Sequence, residues 1–251
     1  MYSKQQGVAS GTFVKHRFKS ELLQNERHIW LYRSADFDSN DPDATLLLQF
    51  DGLKYTTKVP IPVILDNLVA SKRLPPIAAI FVDNASSQSR GQELPDNPVF
   101  ARALVEEVLP WAKGELGISI DAQHTVLAGS SYGGLASSSV ALRYPETFGN
   151  VLSMSGSYWW SPANTSPENE EYVAHWVAST KAKPIRFFLS AGVFESGKGS
   201  GIGLLESNRH LRTVLNAKGY DVIYKEYAAG HDYFSWQQAF AEGMLALFEK
   251  Q

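Results

Sequence analysis

The sequence predicts an α/β fold: a mostly parallel central sheet of about eight strands flanked by helices, in one domain spanning residues 1–251. Short apolar runs of strand length alternate with longer helical patterns through most of the chain, which is the order of a parallel sheet with helical crossovers. No internal repeat or long low-complexity linker divides it. With 44% hydrophobic and 12% aromatic residues, a chain of 251 residues buries a substantial core unaided.

Strand-like runs fall at 11–18, 28–34, 44–50, 77–83, 124–129, 150–154, 185–190 and 221–227. The first two alternate and carry charges, so they are expected to form an antiparallel edge at the start of the sheet. Helical patterns occupy 61–72, 98–116, 132–143, 204–218 and 235–249. In the second of these, apolar residues from Val99 to Leu109 keep helical spacing, and Pro110 then allows a kink or a stop. Gly219 follows the helix carrying Leu211, Val214 and Leu215, as a C-terminal glycine should. The segment 155–183, with Trp159, Trp160, Pro162, Pro167 and Trp176, is less regular and reads as an excursion over one face. Residues 1–10 are polar and read as a flexible N-terminus.

Composition excludes several classes of function. The formal net charge is -3 and no long basic run exists, so the many phosphate contacts of general nucleic-acid binding have no source. There is no cysteine, which removes disulfides, Cys-ligated zinc and thiol chemistry. No apolar run reaches membrane-spanning length and the first residues carry no secretory pattern, so the expectation is a cytoplasmic protein without a membrane partner. Oligomeric state is not legible.

The chemistry-bearing motif is Gly129-Ser130-Ser131-Tyr132-Gly133-Gly134. It follows the strand-like Thr125–Ala128 and precedes a helix of small residues from Leu135 to Leu142. G-x-S-x-G between a strand and a helix is the nucleophile turn of the α/β-hydrolase fold: the tight turn strains the serine backbone, exposes its Oγ and leaves little room beside it. The helix N-terminus then aims N–H groups at developing negative charge. Ser131 is therefore the expected nucleophile.

Partners on this fold follow in the order Ser, Asp/Glu, His. Of the later histidines, His175 and His210 sit inside helical patterns, whereas His231 lies just beyond the strand 221–227 and before the last helix. A base on such a loop reaches a nucleophile at a neighbouring strand end. The acid should come from a loop between them, and Glu195 lies a few residues past the strand 185–190. Glu206 and Asp232 are the reserves; Asp232 is the poorer, since a residue rarely points at its neighbour's far ring nitrogen. The same loop, Gly192 to Gly199, nearly spells a phosphate-binding loop, but Gly199 stands where Ser or Thr should hold magnesium.

One oxyanion donor is the N–H after the nucleophile, that of Tyr132; the other comes from the loop after the third strand. Gly52 in Asp51-Gly52-Leu53 lets an N–H turn inward, making Leu53 the candidate and Gly52 the second. Arg90, in the polar stretch 84–94, is placed to meet an anionic substrate or to pair with Glu93. Tyr158, Trp159 and Trp160 offer flat faces to a planar ligand if exposed, though paired aromatics also build cores.

Taken together, Asp51-Gly52, Arg90-x-x-Glu93-Leu94, the Ser131 motif, Pro145-Glu146-x-Phe148, Ser155-Gly156-Ser157-Tyr158-Trp159-Trp160 and Gly230-His231-Asp232 resemble the catalytic domain of enterochelin (enterobactin) esterases, in the esterase D-like branch of the α/β-hydrolases. The resemblance runs from about residue 11 to the end. It implies cytoplasmic hydrolysis of the ester backbone of a catecholate siderophore, often as its iron complex. Ser131, Glu195 and His231 carry over as the triad, and Arg90, Trp159 and Trp160 as contacts to an anionic, aromatic substrate. The Asp51-Gly52-Leu53 turn also looks like that of mycolyl acyltransferases, which favours Leu53 as an oxyanion donor. No resident metal or organic cofactor is implied; iron belongs to the substrate. Such esterases usually carry a further N-terminal domain, so the substrate is less constrained than the reaction. Feruloyl or acetyl-sugar ester hydrolysis, thioester hydrolysis, acyl transfer by the same triad, and silent ligand binding are the alternatives.

Overall fold

All eight predicted strands form, and they join in one sheet. The computed structural model describes residues 1–35, 37–166, 170–197 and 202–249. The strands are β1 (Thr12–Ser20), β2 (Asn25–Arg33), β3 (Thr45–Phe50), β4 (Ile77–Val82), β5 (Thr125–Ser130), β6 (Asn150–Met154), β7 (Arg186–Gly192) and β8 (Asp221–Tyr227), in the order β1-β2-β4-β3-β5-β6-β7-β8. β1 and β2 pair antiparallel, and β2 runs antiparallel to β4. Every later pairing is parallel. The alternating, charged pattern of the first two strands is thus the antiparallel edge it predicted.

Period-two alternation divides the core between the two faces of the sheet. Leu46, Leu48 and Phe50 of β3, with Ala78, Ile80 and Val82 of β4, join one cluster; Leu47, Ile77, Ala79 and Phe81 join the other. The helices are α1 (Gly52–Thr57), α2 (Ile61–Ala70), α3 (Ser87–Glu93), α4 (Pro98–Ala103), α5 (Leu109–Leu116), α6 (Tyr132–Arg143), α7 (Tyr172–Ser179), α8 (Leu204–Ala217) and α9 (Tyr233–Phe248). On the first face Leu104, Val108, Ala112, Leu135, Val140 and Leu211 close the core. On the second, Ile64, Leu65 and Leu68 of α2 and Ala239, Phe240 and Met244 of α9 close the core. Positions three or four residues apart share one side of a helix, which is what lets each helix bury one stripe.

The pattern at 98–116 contains one adjustment. A π-helical segment, Leu104–Val108, joins α4 to α5, and the Leu109 N–H donates to Leu104 O. Pro110 sits in the first turn of α5 and does not stop the helix there. A proline lacks the N–H that an α-helical ladder would use and crowds the carbonyl four residues back, and the wider π turn just ahead shifts that ladder. Gly219 takes φ 83° just beyond α8, the left-handed conformation that makes glycine favourable there.

Three short helices escape the periodicity argument: α1, α3 and α7. Each has eight residues or fewer, too few for an apolar stripe to repeat. Helix α3 is instead marked by a capping box, in which Ser86 and Ser89 satisfy each other's backbone N–H groups. Residues 1–10 form no helix or strand, and Asn67 Nδ2 of α2 donates to Met1 O (2.6 Å) and Ser3 O (2.9 Å). Pro167 of the 155–183 excursion, and Lys198 and Gly199 of the glycine-rich loop, lie outside the described residues.

Candidate active site

Parallel register brings the C-terminal ends of β3 to β8 to one edge, and the candidate residues come from the loops there. Ser131 follows β5 directly, and its N–H donates to Met154 O at the end of β6 (3.0 Å). It takes φ 56°, ψ −123°, a region costly for any residue with a Cβ. A strained serine between a strand and a helix N-terminus is the conformation the motif predicted. The Tyr132 N–H lies in the first turn of α6, where backbone donors have no partner within the helix.

The glycines around the turn are not equally required. A Cβ on Gly129 would lie 2.5 Å from Gly133 C and O. One on Gly134 would lie 2.5 Å from Ser153 Oγ and 3.0 Å from Gly156 Cα. At Gly133 the nearest atom is Phe50 Cβ at 3.4 Å, an ordinary contact. The second glycine of the motif is therefore less constrained than the glycine after it, which the motif does not name.

His231 and Glu195 meet across 36 residues of chain: His231 Nδ1 lies 2.5 Å from Glu195 Oε1. Glu195 Oε2 accepts the Gly192 N–H at 2.7 Å, so both carboxylate oxygens are engaged. The Glu195 side chain is 1% exposed and that of His231 37%, which leaves the far edge of the ring open to the cleft. Trp236 meets the imidazole edge-on, with ring centroids 4.7 Å apart, and its Nε1 donates to Ser155 Oγ at 3.0 Å. Both reserves for the acid have other work. Asp232 caps α9 by accepting from Phe234 N and Ser235 N, and Glu206 accepts from Gly197 N and Gly203 N.

Ser131, His231, Leu53 and Arg90 line one cleft of about 560 Å³, together with Asp51, Asp83, Asn84, Tyr233 and Trp236. The Ser131 Oγ lies 3.3 Å from Ser157 Oγ, and its hydrogen bond is to that hydroxyl rather than to His231. Nucleophile–base bonds commonly tighten only when substrate is in place. Leu53 lines the same cleft, and its N–H donates to Asp83 Oδ1 at 3.4 Å. Burial raises the Asp83 carboxyl above the usual aspartate range, against the backbone N–H groups of Leu53 and Asn84, which lower it.

Arg90 does not pair with Glu93. Its guanidinium forks onto Asp51, Nε to Oδ1 at 2.6 Å and Nη2 to Oδ2 at 2.9 Å, and Asn84 Nδ2 adds a third bond at 2.6 Å. Burial works against the Arg90 charge, and Asp51 more than offsets it. Glu93 points the other way and forms a buried pair with Arg27, with two bonds of 2.9 Å. In α3, Arg90 and Glu93 stand three residues apart, but Arg90 forks onto Asp51 and Glu93 holds the buried Arg27, each pair bonded at two points. Asp51 itself is left-handed at φ 56°, so the turn that presents Leu53 is clamped by Arg90 and Asn84.

The two tryptophans separate. Trp159 is 42% exposed, stands tilted 6.2 Å from the Tyr132 ring and borders a neighbouring hollow with Glu170 and Glu171. Trp160 packs half-buried against the core and meets Tyr172 edge-on. Residues that sequence reasoning did not single out include Asp83, Asn84, Ser157 and Trp236. Only Ser157 had a local signal, its place in a Ser-Gly-Ser turn after a strand.

Among the described residues no three His, Asp or Glu side chains converge as a metal site, and no helix is long and apolar enough to cross a membrane.

A family profile described as putative esterase matches residues 20–247. The iron(III) enterobactin esterase of Escherichia coli O6:H1 is 31% identical over 232 residues, covering 92% of this chain and 56% of that protein. The iron(III) enterobactin esterase of Dickeya dadantii is 32% identical over 90% of this chain and 52% of its own length. The chain thus spans about half the length of these curated relatives. Among solved structures, the enterobactin esterase of Shigella flexneri in the presence of enterobactin superposes with a TM-score of 0.84 at 28% identity, covering 97% of this chain and 60% of that one.

Proposed function

Because this chain belongs to the putative esterase family, we propose that it is a serine carboxylic ester hydrolase that cleaves the ester bonds of a catecholate siderophore such as enterobactin. The observation that carries the reading is the Glu195–His231 bond of 2.5 Å, with Ser131 on the same cleft as that histidine. The substrate class rests on relatives named as iron(III) enterobactin and salmochelin esterases. With that substrate class the place of action we propose is the cytoplasm.

In this mechanism Glu195 holds Nδ1–H of His231, which leaves Nε2 unprotonated and facing Ser131. As Ser131 Oγ attacks the ester carbonyl, its proton passes to Nε2, and the N–H groups of Tyr132 and Leu53 receive the oxyanion, Leu53 turning from Asp83 to do so. His231 then protonates the leaving alcohol, and water repeats the sequence on the acyl-enzyme. Arg90 offers positive charge beside the cleft, shared with Asp51, and Trp159 an exposed ring next to Tyr132. Iron enters and leaves as part of the substrate.

A hydrolysis panel tests the reading. It compares ferric and iron-free catecholate trilactones with feruloyl esters, acetylated sugars and p-nitrophenyl esters, for wild type and Ser131→Ala. Trilactone turnover abolished by Ser131→Ala is expected. Inert trilactones beside a rapidly cleaved sugar ester would sink the substrate assignment and leave the hydrolase standing. No reaction of Ser131 with a fluorophosphonate would sink both.

A further inference from the structure

We propose that the Ser157 hydroxyl is a hydrogen-bond donor to the reacting oxygen of Ser131, an addition to the machinery that rests on the nucleophile reading above. The two Oγ atoms lie 3.3 Å apart. Ser157 is 2% exposed, and Ser131 Oγ is its hydroxyl's hydrogen-bond partner among the described residues. A buried hydroxyl keeps a partner because leaving it unpaired costs its full desolvation, so this one is committed to the nucleophile.

The segment holding Ser157 is built to keep it there. Its own N–H donates to Ser131 O at 3.1 Å, tying it to the nucleophile's backbone. One residue earlier, Gly156 O accepts from the buried Asn208 Nδ2 at 2.8 Å, and a Cβ at Gly156 would lie 2.4 Å from the Tyr158 ring. One residue later, the fully buried Tyr158 hydroxyl bonds Ser138 Oγ, Ser153 Oγ and Gly134 O at 2.6, 2.7 and 3.2 Å. Ser155, at φ 48°, holds Trp236 against His231. The turn after β6 therefore touches both the nucleophile and the wall of the base.

The roles of the two hydroxyls follow from proton balance. When Ser131 gives its proton to His231 Nε2, its Oγ electron pair forms the bond to the ester carbon. The carbonyl π pair moves to the carbonyl oxygen. Oγ passes through a state of raised negative charge and can only accept, so Ser157 must donate, and it keeps its own proton throughout. The same bond forms again in deacylation, when Oγ leaves as an alkoxide-like group and takes the proton back from His231. A donor aimed at charge that develops only in the transition state raises kcat and leaves KM alone.

The test is Ser157→Ala beside Ser157→Thr, read by the rate of fluorophosphonate labelling of Ser131, by kcat and KM on a p-nitrophenyl ester, and by melting temperature. Expected for Ser157→Ala is a roughly ten- to hundred-fold fall in labelling rate and kcat, from loss of a hydrogen bond to a charged group. KM and melting temperature should stay close to wild type. Ser157→Thr, which keeps the hydroxyl, should restore most of the rate. Ser157→Ala labelling within threefold of wild type overturns the proposal while the nucleophile reading stands. If wild-type Ser131 is itself unreactive, both fall. A loss that appears in KM instead of kcat would assign Ser157 to substrate binding and overturn the donor role.

Discussion

Glu195 Oε1 stands 2.5 Å from His231 Nδ1, and the carboxylate's other oxygen is held by the Gly192 N–H. Fixing both oxygens fixes the ring, because a carboxylate bound at one end only could rotate away.

Glu195→Gln should therefore be damaging without being disruptive. The amide keeps an acceptor for Gly192 but can present N–H to Nδ1, which moves the ring proton to Nε2 and leaves no base facing Ser131. We expect kcat to fall by roughly 10³- to 10⁴-fold with little change in melting temperature, measured on a p-nitrophenyl ester. Activity within tenfold of wild type would remove Glu195 from the proposed triad.

Arg90→Ala should cost stability as well as activity. Asp51 is 5% exposed and would lose both bonds of the guanidinium fork, keeping only that to Asn84. Loss of charge-assisted bonds to a buried carboxylate corresponds to about 2 kcal/mol, read by urea unfolding. Arg90→Ala with Asp51→Asn should be less destabilised than Arg90→Ala alone, since no unpaired charge remains. Equal stability of the single and double variants would show that the pair does not hold the turn.

Asp83→Asn should raise the melting temperature at neutral pH. Burial lifts the folded-state pKa of this carboxyl above its unfolded value, so ionised Asp83 lowers stability. That cost is absent below the unfolded aspartate range near about 3.9 and grows as pH rises through the folded pKa. The variant's advantage should vanish on acidification. An advantage that persists unchanged at low pH would assign it to some cause other than ionisation.

Gly133→Ala and Gly134→Ala should differ sharply. At Gly133 a Cβ meets Phe50 at an ordinary 3.4 Å, and alanine favours the helix by up to about 1 kcal/mol. At Gly134 it would be 2.5 Å from Ser153 Oγ and 3.0 Å from Gly156 Cα. Overpacking there should cost about 1–3 kcal/mol and disturb the turn carrying Ser157. Comparable melting temperatures for the two would refute this reading of the turn.

The sequence by itself determined the sheet and the place of the proposed nucleophile. Eight strands were legible because each is a continuous or alternating apolar run, and burial on one or two faces of a sheet writes that period directly into the chain. Ser131 was legible because a strained turn between strand and helix demands small neighbours in consecutive positions. Chain order then pointed to His231 and Glu195, though not to the 2.5 Å between them.

Tertiary structure alone decided who pairs with whom. Arg90 chose Asp51, 39 residues away, and Glu93 chose Arg27, 66 residues away, because the stronger partner is the one with which a charge is buried and bonded at two points. Trp159 and Trp160, adjacent in sequence, went to surface and core. Ser157 met Ser131 only because parallel register sets the ends of β5 and β6 side by side, Ser130 opposite Met154. Local pattern records how each segment meets water, but contacts between loops depend on strand order and register, which no single segment encodes.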